Sequence, residues 1–87
     1  GIFIRITEVN EFELILSDGH MTLDFLEEVD VDINLYTEKF KKILNLYGMY
    51  KDGNVLRKRF SYNHEGDIIR HIGYFIQGLT LIANIDI

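Results

Sequence analysis

Two short runs near the start of the chain alternate apolar and polar residues, and this period of two constrains the fold more than any other feature. Residues 2 to 7 read I-F-I-R-I-T, and residues 12 to 17 read F-E-L-I-L-S after the polar break Asn10-Glu11. Successive side chains of a strand point to opposite faces, so each run predicts a strand with one buried side. Asp18-Gly19 comes next, and Asp-Gly is a strong hairpin signal because a type I′ turn needs positive φ at both central positions. A third strand over residues 21 to 25 would then set Leu16 against Met21, Leu14 against Leu23 and Phe12 against Phe25.

With Val9, Asn10 and Glu11 as a loop, Ile6 lies beside Leu14 and Ile4 beside Leu16, which defines a β-meander. Its core face carries Ile2, Ile4, Ile6, Phe12, Leu14, Leu16, Met21, Leu23 and Phe25. Its outer face carries Phe3, Arg5, Thr7, Glu13, Ile15, Thr22 and Asp24. Glu13 falls directly across from Asp24, an unfavourable pairing of like charges that Arg5, diagonal to Glu13, partly offsets. A competing reading makes residues 22 to 29 a short helix, with Thr22 as N-cap and Phe25, Leu26 and Val29 on one side.

Beyond residue 34 the period changes. Leu35, Tyr36, Phe40, Ile43, Leu44 and Tyr47 recur at helical spacing, with Lys39, Lys41 and Lys42 outward, Asn34 as N-cap and Gly48 as the stop. Asp52-Gly53 marks a turn into a strand over residues 54 to 62, with Leu56, Phe60 and Tyr62 on one face. Lys58 shares that face, and a lysine aimed coreward protects an edge strand, so this strand is expected at or near a sheet edge. Asp67 then caps a second helix carrying Ile68, Ile69, Ile72, Phe75, Ile76 and Leu79, which Gly78 can end. The tail from Leu79 to Ile87 alternates again and reads as a last strand. The order βββαβαβ describes an α+β domain of two layers, a mainly antiparallel sheet with two amphipathic helices, spanning residues 1–87 as one unit.

A chain of 87 residues buries only about 60–65% of its unfolded surface, so it needs an effective core. Its 47% hydrophobic content supplies the material for one. The absence of cysteine removes disulfide and thiolate chemistry, no run is apolar enough to span a membrane, and a cytoplasmic protein is the expectation.

Charge is divided along the chain. Residues 1 to 38 hold ten carboxylates against Arg5 alone, a net charge of −9, whereas residues 39 to 87 hold eight bases against four acids, or +4. Part of that acid lies in V-D-V-D-I-N-L, which opens like a calcium loop with Asp30, Asp32 and Asn34 at its first, third and fifth places. Leu35 occupies the sixth place, where the loop needs glycine, and Lys41 the twelfth, where the ion needs a carboxylate. The acids suit the positive end of a helix instead.

Catalytic motifs are missing. His64-Glu65 begins H-E-x-x-H, but Ile68 stands where the second histidine belongs; a His64, Asp67, His71 set is the least poor enzymatic candidate. The glycines form no phosphate-binding pattern. The expectation is therefore a non-enzymatic protein-binding domain, a small acidic inhibitor or adaptor with no cofactor or metal. Its contact residues would be Arg5, Glu13, Asp24, Glu27, Glu28, Asp30 and Asp32. A homodimer is expected too, the acidic ridge of one copy meeting the lysine-bearing helix of another. The alternative is a nucleic-acid-binding module using Lys39, Lys42, Arg57, Lys58 and Arg59, although R-K-R-F-S-Y puts its arginines and rings on opposite faces.

Overall fold

The alternation along residues 5 to 17 does form an antiparallel hairpin. The computed structural model of the chain describes residues 3–87, so Ile2, expected on the core face, lies outside it. The elements run β1 (Arg5–Asn10), β2 (Glu13–Ser17), α1 (Met21–Glu28), a 3-10 turn (Ile33–Tyr36), α2 (Thr37–Tyr47), β3 (Tyr50–Asp52), β4 (Val55–Ser61) and α3 (Glu65–Ala83). The strands form one antiparallel sheet in the order β1-β2-β4-β3. The α+β class therefore holds, with the observed order ββααββα in place of βββαβαβ.

The hairpin register differs from expectation by two residues. Ile6 pairs with Leu16 rather than Leu14, and a bulge between Glu8 and Asn10 absorbs the difference. Asn10 makes the tighter turn: its Oδ1 accepts from the Phe12 N–H at 2.8 Å and its Nδ2 donates to Glu13 Oε1 at 3.0 Å. A slip of two preserves side-chain parity, so Ile6 stays on the face shared with Leu14 and Leu16.

Two expected strands are helical. Residues 21 to 25 belong to α1, in line with the competing reading, although His20 rather than Thr22 is the N-cap. Asp18 decides this. Its Oδ1 accepts from the N–H groups of His20 and Leu56, both at 3.0 Å, and its Oδ2 accepts from the Thr22 N–H at 3.1 Å. A hairpin turn would leave that carboxylate in solvent; here it ties the start of α1 to β4 and is 2% exposed. Gly19 and His20 both take positive φ, 61° and 68°, so the turn has left-handed backbone but leads into a helix.

The C-terminal tail is also not a strand. Phe75, Gly78, Leu79 and Ile82 recur at helical spacing and are buried, so α3 continues through Gly78 to Ala83. The alternation from Leu79 to Ile87 fits a strand only if Ile82 is set aside, and extending an existing helix needs no new nucleus. Gly78 is not a stop but a contact: a Cβ there would press into Met49 Sδ and lie 3.3 Å from Tyr47 Cβ. Gly48, by contrast, does end α2, at φ 63°.

The helices cover one face of the sheet. Leu14, Leu16, Leu56 and Phe60 meet Leu26, Phe40, Ile43, Phe75, Leu79, Ile82 and Ile85 in a single core. Lys58 points into that side, as its parity required, and is 6% exposed. The placement of its strand at or near an edge holds: β4 lies between β2 and the three-residue β3, and from Lys58 onward it has no β3 partner. Lys58 Nζ donates to the Tyr47 carbonyl at the C-terminal end of α2, where a cation complements the helix dipole. Asp67 is not the N-cap of α3 either; it sits in the first turn and accepts from the Asn63 N–H at 2.9 Å.

Asp18→Ala leaves buried N–H donors unpaired, and a loss of about 3 kcal/mol in urea unfolding is expected, with Asp18→Asn costing about half as much. Gly78→Ala should destabilise by about 1 kcal/mol, because overpacking outweighs the gain in helix propensity. Its cost should shrink in a Met49→Ala background, which a double-mutant cycle measures.

Candidate functional site

α1 owes its place to the Asp18 turn, and it presents its acids to solvent while Leu26 anchors it to the core. Two grooves flank it. One, of about 590 Å³, runs between α1 and α3, walled by Phe3, Met21, Phe25 and Leu79, with Asp24 and Glu28 along α1. The second has a similar volume and lies towards the β3–β4 hairpin, lined by Leu23, Glu27, Asp30, Asp32, Lys51 and Asn54 among others. Asp24 borders both.

The first groove is the more apolar. Met21 and Phe25 are one helical turn apart and remain 52% and 46% exposed, and Phe3 is 73% exposed. Asp24 is fixed at its margin by a 2.7 Å contact between its Oδ2 and His20 Nδ1. Beside the second groove the exposed Asp32 accepts from the Asn34 N–H at 3.0 Å, capping the 3-10 turn. The calcium-like spacing is thus used in part as a helix cap, and Asp30 sits at φ 59°.

The expected contact residues divide between two places. Asp24, Glu27, Glu28, Asp30 and Asp32 gather along α1 and its exit, whereas Arg5 and Glu13 lie on the sheet. Glu13 does not face Asp24, because residue 24 is helical; it pairs in register with Ser61. Its carboxylate accepts from Arg59 Nε at 2.8 Å, and that bond, helped by Asn10, holds it below the usual carboxylate range. Arg5 pairs with Ser17 at the far end of β2, away from Glu13. Met21 and Phe25, expected on the core face, were not expected as contact residues, whereas Phe3 was expected on the outer face. The helical reading of residues 22 to 29 grouped Phe25 with Leu26 and Val29 on one side, whereas only Leu26 is buried and Phe25 joins Met21 at the groove.

The basic residues are scattered. Arg57 and Arg59 sit on the sheet side opposite Lys58, and each meets an acid: Arg57 Nε is 3.2 Å from Asp52 Oδ2, and Arg59 is bound to Glu13. Lys39 donates to the carbonyls of Ile85 and Ile87 at 2.8 and 3.0 Å, and Lys42 is exposed on α2. Lys58 is inside.

The histidine set does not converge. His64 Nε2 lies 3.7 Å from Asp67 Oδ1, and Arg70 Nη2 takes the same oxygen at 2.9 Å. The Asn63 N–H, then His64 and Arg70, hold Asp67 below its ordinary range against the effect of burial. His71 turns the other way and stacks on Phe60 at 4.2 Å, with its Nδ1 buried and unpaired. Burial, then the nearby Lys58 and Arg70 charges, push the His71 imidazolium pKa down, opposed by Asp67. Burial likewise lowers Lys58. Among the described residues no three His, Cys, Asp or Glu side chains are grouped to hold a metal, and no helix is long and apolar enough to cross a membrane.

Comparisons with protein-family models, with curated proteins and with solved structures find no match.

The His71 environment has a measurable consequence. Its folded-state pKa is depressed, so the unfolded chain takes up the proton first and stability falls as pH drops below about 6.5. His71→Gln removes this titration. The expected result is a stability difference between variant and parent that shifts in favour of the variant as urea midpoints are compared from about pH 7 down to pH 5.

Proposed function

We propose that the chain is a non-enzymatic protein-binding domain, a small acidic inhibitor or adaptor, and that α1 is its contact helix. The observation that carries this reading is the apolar groove of Phe3, Met21, Phe25 and Leu79 set beside Asp24 and Glu28. A monomer that keeps two large α1 side chains about half exposed, next to further apolar surface, has a patch of the kind that partners cover. Carboxylates along the same helix select the partner's charge. Asp24, Glu27 and Glu28, with Asp30 at the exit, set a negative field with no lysine or arginine among the residues that form α1.

The occupant that fits is an amphipathic basic segment of another protein, its apolar residues entering the groove and its lysines or arginines meeting the acids. Such recognition takes orientation and on-rate from charge and takes affinity from the aromatic and methionine anchors. No step of it requires a nucleophile, a base or a metal.

Amphipathic peptides of about 18 residues with one shared apolar face, bearing either lysine or glutamate on the polar face, make the test. In fluorescence anisotropy the lysine peptide should bind and the glutamate peptide should not, and binding should weaken from about 0.05 to 0.5 M salt. Phe25→Ser and Glu28→Lys should each weaken it about tenfold or more. Equal binding of both peptides, or binding indifferent to Phe25→Ser, would remove α1 from the interface.

A further inference from the structure

A different surface points to a second copy of this chain. β1 lies at the edge of the sheet, so alternate N–H and C=O groups along it face away from β2. All residues of β1 are exposed, and Ile6 is 52% exposed although its partner Leu16 is wholly buried. The helix layer therefore stops short of this strand. The opposite edge is interrupted, since β3 spans only Tyr50–Asp52 and the stretch of β4 beyond it carries the inward-pointing Lys58. No such protection covers Arg5–Glu8, which is regular, free of proline and ends at the bulge before Asn10.

We infer that β1 pairs antiparallel with β1 of a second copy about a two-fold axis through Ile6, joining two four-stranded sheets into one. The register follows from elimination. A two-fold axis normal to the sheet keeps each residue on its own face, so residues of equal parity meet. Centring on Arg5 or on Glu8 sets like charges directly opposite, which is unfavourable. Centring on Thr7 lays each Glu8 carboxylate against an Ile6 and draws the bulged Val9 into the ladder. Centring on Ile6 sets isoleucine on isoleucine and Arg5 on Thr7, brings Glu8 only against Ile4 ahead of the strand, and leaves the bulge outside the ladder, which decides between the two. Charge allows the approach here: the chain carries −5, but β1 itself holds one arginine and one glutamate. A parallel pairing in register would stack Arg5 on Arg5 and Glu8 on Glu8, which the antiparallel direction avoids.

The absence of cysteine makes the register directly readable. At the two-fold, Ile6→Cys places its Cα atoms about 4.5–5.5 Å apart, within disulfide range. Thr7→Cys places them about 8 Å apart, beyond it. Single-cysteine variants oxidised under matched conditions should therefore cross-link at position 6 faster than at 7 or 8. In sedimentation the parent should show a monomer–dimer equilibrium, unweakened by salt because screening relieves repulsion between two acidic copies. Ile6→Lys should raise the dissociation constant about tenfold or more. The same variant should still bind the lysine peptide, which separates this surface from the α1 groove. A single monomeric species up to about millimolar concentration would overturn the inference. So would fastest cross-linking at Thr7→Cys or at Phe25→Cys, or a dimer unaffected by Ile6→Lys. If Ile6→Lys fails to fold, which circular dichroism reveals, the cross-linking rates decide alone.

Discussion

The Asp18 carboxylate is the junction on which the molecule depends. It sits between the end of β2 and the start of α1, accepts N–H groups from His20, Thr22 and Leu56, and its own N–H donates to the Leu56 carbonyl at 3.2 Å. One buried side chain thus ends a strand, starts a helix and holds both to β4. Burial of a carboxylate is costly unless its oxygens are fully engaged, and here both oxygens are. The α1 surface inherits its position from this junction. α1 lies where it does because its first turn is pinned, and there it leaves Met21 and Phe25 about half exposed beside the groove against α3.

That junction also explains which parts of the fold were legible. Alternation located both strands of the hairpin, although only β2 buries a face, and β1 runs Arg5–Asn10 into the residues expected as a loop. Asp18-Gly19 signalled a turn with left-handed backbone, and one is present, displaced by a residue onto Gly19 and His20. The element after the turn was not readable from local pattern. Met21, Leu23 and Phe25 alternate as a strand would, and the choice for helix comes from N–H groups of His20, Thr22 and Leu56 all finding one acceptor. The Leu56 donor is 38 residues away. The tail was ambiguous for a related reason. Leu79, Leu81, Ala83 and Ile85 alternate as in a strand, Ile82 breaks the pattern, and contact with Met49 and Tyr47 across Gly78 settles the matter for helix. In the candidate site the acids were visible as charge, but the apolar groove beside them was not, because it is assembled from α1, α3 and the segment before β1.

Lys58 and Gly78 show how the second layer is attached. Both act at the C-terminal end of α2, one from the sheet and one from α3. Lys58 reaches through the core side to the Tyr47 carbonyl, passing close to Gly48, while the bare backbone of Gly78 admits Tyr47 and Met49. A lysine in this position gives up hydration, which is why burial lowers its proton affinity, and it recovers part of that loss at the negative end of a helix. Lys58, expected as an edge guard, thus also serves as a helix cap. The neighbouring His71, stacked on Phe60, shares the cost of the same confined positive charge.

The distribution of charge over the folded surface gives the two proposed contacts different physics. On the sheet, Arg57 and Arg59 are matched locally by Asp52 and Glu13, so their field is short-ranged. Along α1 the acids have no such basic neighbours within the helix, and their field reaches solvent over about a Debye length. A basic partner approaching α1 is therefore drawn in by a force that salt removes. At β1 the charges of one strand nearly cancel, and what remains is an unfinished row of backbone groups beside an uncovered isoleucine. Attraction there is short-ranged and gains when salt screens the acidic remainder of the two copies. The sign of the salt response thus distinguishes a contact made by α1 from one made by the sheet edge, and the two contacts can coexist because they use different elements.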